Sequence, residues 1–289
     1  MTEEFFISSN ERFLKILSYF LTFEESSVKR EAVEEVENCG VDREYAFTLL
    51  LAETLGVDAD GKDRDFFNEY FLPSVKLLSV DDYYKDEYFS LAGFDGKRVG
   101  EAELKTMILP AFTPFVRDDF EYFPNGKVLP KIGFFDKDYS YPAVLKNGRE
   151  WMTLLPNEIN SQLRYIGEAS GKVLTYGLGL GYYAMKVALR NEVSSVTVVD
   201  CDEEVINLFN SEILPRFPEF VRKKLAVIKS DAFSFAEGLK DGDFDYIYAD
   251  IWHDASDGAD LYKKFKEREK FCKPAKYGYW IEDTIKYYL

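Results

Sequence analysis

The sequence predicts an α/β protein with a parallel-sheet C-terminal domain, a largely helical N-terminal domain and a connecting β-hairpin. Three observations support this fold class. Short apolar runs alternate with amphipathic runs from residue 172 onward, apolar residues near the N-terminus recur at helical spacing, and Asn147-Gly148 separates two strand-like runs. We expect an acidic accessory domain at residues 1–125 and a second domain at residues 126–289, which begins with the hairpin at 127–155.

Three helices are expected within the first 56 residues. Their predicted positions are 9–23 with Ser9 as the cap, 27–38 ending at Gly40, and a third that starts at the Asp42 cap and ends before Gly56. Residues 64–123 are rich in aromatic side chains and carry a mixed pattern, which we interpret as partly helical.

Strands are expected at 127–135, 141–146 and 149–155, the last two joined by a tight turn at Asn147-Gly148. Beyond them the two kinds of element alternate. The expected order is strand 172–176, helix 181–190, strand 195–200, helix 203–210, strand 225–229, helix 232–239, strand 244–250, helix 258–271 and strand 277–282. Such alternation is typical of a parallel sheet with helical crossovers.

Composition narrows the classes of function. The chain has 289 residues and 46% apolar residues, enough for a sizeable core. Its 36 basic and 52 acidic residues give a net charge of −16, which argues against a nucleic-acid partner, and most of the excess lies in the first 150 residues.

Membrane, metal and disulfide signals are weak. No apolar run approaches the roughly 18 residues of a membrane helix, and the N-terminus is acidic, so we expect a cytoplasmic protein without a membrane partner. One histidine and three widely spaced cysteines, Cys39, Cys201 and Cys272, favour free thiols and no metal site.

The stretch GLGLG contains Gly177, Gly179 and Gly181 at the turn between the first strand of the alternating series and its helix. Glycines at this turn let the backbone approach a ligand beyond the carboxyl ends of the strands. A dinucleotide fingerprint would need a third glycine at Tyr182, so a nicotinamide cofactor is disfavoured.

The GxGxG spacing resembles motif I of the class I, Rossmann-like S-adenosylmethionine-dependent methyltransferases. The likeness continues along the chain with Asp200 at the end of SVTVVD, Asp231-Ala232-Phe233 after the third strand, and Asp250 at the end of FDYIYAD. It implies S-adenosylmethionine as the cofactor, with Asp200 on the ribose hydroxyls and Asp231 on the adenine.

The sequence is also similar to the spermidine synthase branch of this superfamily, which uses decarboxylated S-adenosylmethionine. This chain and the spermidine synthase branch both have a hairpin before the nucleotide domain. Thr175 stands here in place of the acidic residue that usually precedes motif I. The branch's GGGDG reads GLGLG, with Leu180 replacing the acid, and of its DSSDP only Asp250 is kept.

The resemblance and the residue types together predict the site. Cofactor-binding residues are expected to be Gly177, Gly179, Gly181, Tyr182, Asp200, Asp231, Ala232 and Asp250. Substrate-binding residues are expected to be Trp252, Tyr183 and Glu158, although Trp252 also suits wall packing and Glu158 suits a simple first-turn charge.

His253 and Asp250 are the expected catalytic residues. His253 follows the fourth strand, and histidine is the side chain most often used as a general base, but a solvated or substrate-positioning histidine is the alternative. Asp250 is expected to bind an amine, or else to cap the turn at the end of the strand.

The predicted function is methyl transfer from S-adenosylmethionine to a small molecule or a protein. The alternatives are an aminopropyltransferase, or a regulator or scaffold that binds the cofactor without catalysis. Because the chain ends soon after the fifth strand, the last sheet edge is expected to be missing, supplied by the 127–155 hairpin, or covered in a homodimer.

Overall fold

A computed structural model describes residues 1–21, 28–91 and 95–289 of the chain, which divides into two compact units. The first unit is Met1–Tyr84 with Ile108–Ser140, and the second is Lys85–Met107 with Tyr141–Leu289. The chain therefore passes between the units three times, whereas the sequence analysis placed one boundary after residue 125. In the described ranges no helix has the length and apolar character needed to cross a membrane.

The structure confirms the predicted α/β class. The helices are α1 (Glu3–Leu21), α2 (Arg30–Glu37), α3 (Arg43–Thr54), α4 (Arg64–Phe66), α5 (Leu72–Ser74), α6 (Val80–Tyr84), α7 (Pro156–Glu168), α8 (Tyr182–Leu189), α9 (Glu203–Leu208), α10 (Glu219–Lys224), α11 (Ala232–Glu237), α12 (Ala255–Lys266) and α13 (Glu282–Tyr287). The strands are β1 (Val75–Leu78), β2 (Lys97–Val99), β3 (Ala102–Leu109), β4 (Phe115–Tyr122), β5 (Val128–Phe135), β6 (Tyr139–Lys146), β7 (Arg149–Thr153), β8 (Gly171–Tyr176), β9 (Val193–Asp200), β10 (Leu225–Lys229), β11 (Tyr246–Ala249) and β12 (Lys276–Tyr279).

The first unit combines helices with a three-stranded sheet of order β1-β5-β4. Its core is aromatic, and the ring of Phe47 on α3 stacks on that of Phe134 on β5 at a centroid distance of 3.7 Å. The carboxylate of Asp42 accepts a hydrogen bond from the N–H of Tyr45 at 2.8 Å, which confirms the predicted cap of α3.

One expectation for the N-terminal helices is wrong. Ser9 does not cap a helix, because α1 begins at Glu3 and already buries Phe6 in the core. Residues 64–123, part of which belongs to the second unit, are partly helical as predicted. They also contain strands β1 to β4, since their aromatic side chains suit a pleated, half-buried surface as well as a helix face. The predicted helix end at 22–23 and the helix start at Ser27 lie outside the described residues.

The second unit is built on a five-stranded sheet of order β10-β9-β8-β11-β12, and every strand pair in it is parallel. This arrangement confirms the alternation read from the sequence. Because β8 lies at the centre of the sheet, the turn after it opens at the carboxyl edge between β9 and β11.

A four-stranded sheet of order β2-β3-β6-β7 includes the predicted hairpin. Strands β6 and β7 pair antiparallel, and their turn has φ of +53° at Asn147 and +74° at Gly148, as predicted for a tight turn. Strand β5 does not belong to this sheet, because it pairs with β1 and β4 in the first unit.

The fifth parallel strand is shorter than expected, since β12 ends at Tyr279 and α13 begins at Glu282. Within the described part of the chain, β12 pairs only with β11. The expectation that the 127–155 hairpin supplies the last sheet edge is therefore wrong, because β6 and β7 pair with each other in a different sheet. A homodimer across this edge stays a prediction.

Candidate active site

A cavity of about 410 Å³ lies in the second unit at the carboxyl ends of β8, β9 and β11. The elements around it are the glycine turn, β7, α7 and the loop after β11. The predicted site residues that line it are Gly177, Gly179, Tyr182, Tyr183, Asp200, Asp231, Ala232, Asp250, Trp252, His253 and Glu158. Of the predicted set, only Gly181 is not among the lining residues, so the structure brings the others together; their roles stay predictions.

The glycine turn has two different structural reasons for its glycines. Gly177 has φ of +95°, and a Cβ there would lie 1.9 Å from the backbone oxygen of Asp250. Gly181 has φ of +73°, and a Cβ there would lie 2.3 Å from the ring of Phe209. The first glycine thus lets β8 and β11 approach each other at the cavity, whereas Gly181 serves packing beneath it.

Asp200 ends β9 and holds the glycine turn. Its Oδ2 accepts a hydrogen bond from the N–H of Leu178 at 2.9 Å, and its Oδ1 accepts one from the N–H of Asp202 at 2.8 Å. Burial raises the pKa of this carboxyl, although the backbone donors oppose the shift. Each oxygen keeps a further lone pair, so the carboxylate can still accept from the hydroxyls of a ribose.

Asp231 lies at the same edge of the sheet and caps α11. Its Oδ1 accepts a hydrogen bond from the N–H of Ser234 at 2.8 Å, and the residue is exposed. Ala232 follows as the first residue of the helix and lines the cavity beside it. The capping bond alone explains an aspartate here, so the adenine contact rests on the resemblance.

Asp250 and Glu158 form the acidic floor of the cavity. Burial and then the charge of Asp200 raise the pKa of Asp250 to about 7. Burial and then the charge of Asp250 raise the pKa of Glu158 well above its usual range. Gln162 lies one turn after Glu158 on α7, and its Nε2 donates to Oδ2 of Asp250 at 3.4 Å.

No lysine or arginine lines the cavity among the residues that the structure describes. The carboxyl groups of Glu158, Asp200 and Asp250 therefore share the cavity without a cationic side chain. Like charges at short range disfavour full ionisation, and an incoming cation relieves this repulsion. The electrostatics of the site favour a positively charged ligand.

Aromatic residues form the other walls. The ring of Tyr183 stacks on Tyr248 at 4.1 Å, and within the described ranges its buried hydroxyl has no hydrogen-bond partner. The hydroxyl of Tyr182 instead donates to Oδ2 of Asp86 at 2.9 Å. Trp252 is buried and its Nε1 donates to the carbonyl of Trp280 at 3.3 Å, which matches the wall-packing alternative.

His253 lies at the rim of the cavity. Its side chain is 60% exposed, and Nδ1 is 3.5 Å from Oδ2 of Asp257. The ring meets Trp151 edge-on at a centroid distance of 5.0 Å. His253 is therefore a solvated histidine beside a carboxylate, and it lines the cavity at the solvent-exposed rim.

Gln162, Trp151 and Trp280 are among the lining residues that the sequence did not predict. Gln162 was detectable, because it lies four residues after Glu158 on a helix and so shares its face. Trp151 on β7 and Trp280 after β12 were not, since their approach to the cavity depends on how the sheets and α7 pack. The Nε1 of Trp280 donates to Oγ of Ser161 on α7 at 2.9 Å.

Comparison with known proteins adds a family signal. The model of the spermine/spermidine synthase domain matches residues 165–274. The chain has a class I methyltransferase-like fold with spermidine synthase likeness. No curated protein matches the sequence.

Solved structures with a weak similarity to the chain include both kinds of transferase by their names. A spermidine synthase from Thermotoga maritima is 14% identical, with 47% of each chain covered and a TM-score of 0.36. A putative O-methyltransferase from Klebsiella pneumoniae is 17% identical over 39% of this chain and 47% of its own, with a TM-score of 0.28. The methyltransferase domain of bacterial CtHen1 is 22% identical over 27% of this chain and 39% of its own, with a TM-score of 0.23. The match thus spans less than half of each of these relatives.

The spermidine synthase-like segment contains the glycine turn together with Asp200, Asp231 and Asp250. It begins after Glu158 and ends before Trp280. The likeness therefore includes the glycine-turn side of the cavity, while the first turns of α7, β7 and Trp280 lie outside the matched residues.

Proposed function

We propose that this protein is a transferase that takes an alkyl group from an S-adenosyl sulfonium donor and passes it to an amine. The observation that carries the proposal is the cavity at the carboxyl edge of the parallel sheet, where Glu158, Asp200 and Asp250 meet and no lysine or arginine lies among the described lining residues. A sulfonium donor and a protonated amine are both cations, and each would be stabilised by these carboxyl groups.

Residues at the ends of neighbouring strands suit successive parts of the donor. Asp200 can accept from the ribose hydroxyls, since each of its oxygens has one backbone donor and one lone pair left. The turn at Gly177 lines the cavity beside Asp200, and Asp250 faces the cavity from the next strand. The donor supplies an activated carbon, so the protein chiefly has to align the amine and receive its proton.

Methyl transfer from S-adenosylmethionine is the first form of this proposal, with an amine of a small molecule or a protein as acceptor. The methionine carboxylate would then face the free N–H groups at the start of α8, a helix of eight residues. His253 and Asp250 stay the proposed catalytic residues for this form.

Aminopropyl transfer from decarboxylated S-adenosylmethionine is the second candidate. It is favoured by the spermine/spermidine synthase domain match and by the absence of a lysine or arginine among the described lining residues, because a donor without a carboxylate needs no such partner. Against it stands the loss of all but the first acid of the DSSDP motif.

Calorimetric titration with four ligands tests the proposal. The ligands are S-adenosylhomocysteine, S-adenosylmethionine, decarboxylated S-adenosylmethionine and NAD. We expect micromolar binding of the S-adenosyl compounds and none of NAD. A preference for the decarboxylated compound selects aminopropyl transfer, and binding without turnover on any amine selects the regulator or scaffold alternative. Failure of all S-adenosyl compounds to bind would overturn the proposed function.

A further inference from the structure

We propose that Glu158 is the catalytic residue that accepts the proton of the acceptor amine, an inference that rests on the proposed function. Helix α7 begins at Pro156 and presents Glu158 to the cavity from its first turn. The residue faces the same space as Asp250 and the glycine turn, so it lies at the place where donor and acceptor meet.

Glu158, Asp200 and Asp250 differ in the hydrogen bonds that they accept from the protein. Asp200 accepts from two backbone N–H groups, and Asp250 accepts from Gln162. Within the described part of the chain, no hydrogen-bond donor is recorded for the carboxyl group of Glu158. Two of the acids are thus held by the protein, while Glu158 remains available to a ligand.

A second polar group on α7, the side-chain amide of Gln162, also supports an amine ligand. The Oε1 of Gln162 is buried and has no hydrogen-bond partner among the described residues, although its Nε2 holds Asp250. A buried acceptor of this kind is unfavourable until a donor arrives. An ammonium group carries three N–H donors, enough to serve Gln162 and Glu158 at once.

The electrostatics suit proton transfer to Glu158. Burial and then the charge of Asp250 raise the pKa of Glu158, which makes its carboxylate a stronger proton acceptor. His253 is less suited, because its side chain is 60% exposed and lies beside Asp257 at the rim.

The step balances as follows. The acceptor ammonium gives one proton to the Glu158 carboxylate and becomes a neutral amine. Its lone pair forms the new C–N bond, while the S–C bond breaks and its electron pair stays on sulfur as a neutral thioether. The positive charge moves from sulfur to the alkylated nitrogen, and the proton on Glu158 leaves to solvent.

Two acceptors distinguish proton transfer from mere positioning. The first is 1,4-diaminobutane, whose amines are protonated at about pH 8, as unperturbed alkylamines are. The second is 2,2,3,3-tetrafluoro-1,4-diaminobutane, a diamine of the same chain length whose fluorines withdraw electron density and leave its amines largely uncharged. An uncharged amine has no proton to lose before attack, so it does not need Glu158 at that stage.

The experiment measures kcat of the full-length wild type, Glu158→Gln and Glu168→Gln with both acceptors, using S-adenosylmethionine and its decarboxylated form as donors. We expect Glu158→Gln to lower kcat on 1,4-diaminobutane about 100-fold or more and on the fluorinated diamine less than about 10-fold. Glu168→Gln is the matched control, because Glu168 lies at the exposed end of the same helix and does not line the cavity.

The other outcomes each count against a different statement. Equal losses of kcat on both diamines would show that Glu158 only positions the acceptor, and an unchanged kcat would show that it takes no part; either overturns this inference alone. A wild type that binds S-adenosyl compounds but transfers neither group to either diamine would overturn this inference for diamine acceptors, whereas failure to bind any S-adenosyl compound would overturn the proposed function and the inference with it.

Discussion

The two units differ in what accompanies their buried or half-buried acidic side chains. In the first unit Asp63 is buried and lies 2.7 Å from the guanidinium of Arg12, and Arg43 lies 3.0 Å from Asp136. In the cavity of the second unit, Glu158 and Asp250 are not accompanied by a lysine or arginine among the described lining residues. A paired acid stabilises its own fold, whereas an unpaired one remains available to a cation from outside.

This difference has a thermodynamic signature. The pKa of Asp63 is lowered to about 2, chiefly by the hydrogen bond from Arg12, so its contribution to stability is present at neutral pH. The pKa of Asp250 is raised to about 7, chiefly by burial, so its ionisation opposes folding. Ionised Asp63 therefore stabilises the protein without a ligand, whereas ionised Asp250 destabilises it until a ligand binds.

The largest expected effect concerns the backbone that brings the acids together. We predict that Gly177→Ala lowers the free energy of unfolding of the second unit by about 4 kcal/mol or more, since the new Cβ meets the Asp250 carbonyl as well as the strain of positive φ. Tryptophan fluorescence during urea unfolding measures it, because Trp151, Trp252 and Trp280 all belong to that unit.

Gly40→Ala is the matched control in the first unit. Gly40 has φ of +94°, nearly that of Gly177, but a Cβ there would find no atom within 4 Å. Only the conformational strain remains, so we expect a loss of about 1 kcal/mol, measured by hydrogen exchange of first-unit peptides. Similar losses for the two variants would mean that close approach of β8 and β11 does not require Gly177.

The second effect is a pH dependence. An acid whose pKa is raised in the folded state binds its proton more tightly there than in the unfolded chain. The free energy of unfolding of the second unit should therefore fall as pH rises from about 4 to about 7, by at most about 4 kcal/mol from Asp250, and level off above.

Asp250→Asn removes this ionisation and should reduce the slope of the profile between pH 4 and 7, although Glu158 and Asp200, whose pKa values are also raised, keep part of it. It should also weaken binding of S-adenosyl compounds about tenfold, a loss typical of one hydrogen bond to a charged group. Urea unfolding followed by tryptophan fluorescence at each pH, with calorimetry for the ligand, checks both. An unchanged slope in the variant would show that Asp250 is not the titrating group.

The sequence predicts the features of the second unit that depend on local pattern, but not those that depend on packing between distant segments. The alternation after residue 172, the glycine turn and the three aspartates after β9, β10 and β11 depend on local pattern, and the structure places them as predicted. The carboxyl ends of parallel strands meet at one edge, so the pattern alone brings Asp200, Asp231 and Asp250 together.

The remaining features depend on packing between distant segments. No local pattern indicates that Trp280 donates a hydrogen bond to Ser161 on α7, or that β2 and β3 belong to one sheet with β6 and β7. A first-turn glutamate on α7 likewise does not reveal that it lies half-buried next to Asp250, since helix N-termini commonly carry exposed acids. The electrostatic environment is a property of the fold, so the sequence alone predicts only a substrate contact or a first-turn charge for Glu158.

A third test compares buried tyrosine hydroxyls. In the first unit the hydroxyl of Tyr70 lies 2.6 Å from Oδ1 of Asn10, to which it donates, whereas the hydroxyl of Tyr183 at the cavity has no partner among the described residues. Tyr70→Phe should lower the free energy of unfolding by about 1 kcal/mol, and Tyr183→Phe should leave it unchanged or slightly raised. Hydrogen exchange reports the former and tryptophan fluorescence the latter; a loss at Tyr183 as large as at Tyr70 would contradict the contrast.

The smallest expected effect is at Asp63. Because its pKa is lowered, its contribution is fully present above about pH 4 and is lost as pH falls towards about 2, the reverse of the window for Asp250. Since the Arg12 side chain is 41% exposed, solvent screens the pair, and Asp63→Asn should lower the free energy of unfolding by only about 1 kcal/mol at neutral pH. Hydrogen exchange of first-unit peptides measures this loss. The difference in free energy of unfolding between wild type and variant should become smaller as pH falls below 4. If the difference between variant and wild type is the same at pH 3 and pH 7, the Arg12 pair does not set the acid sensitivity of the first unit, and the opposition between the two units rests on the cavity alone.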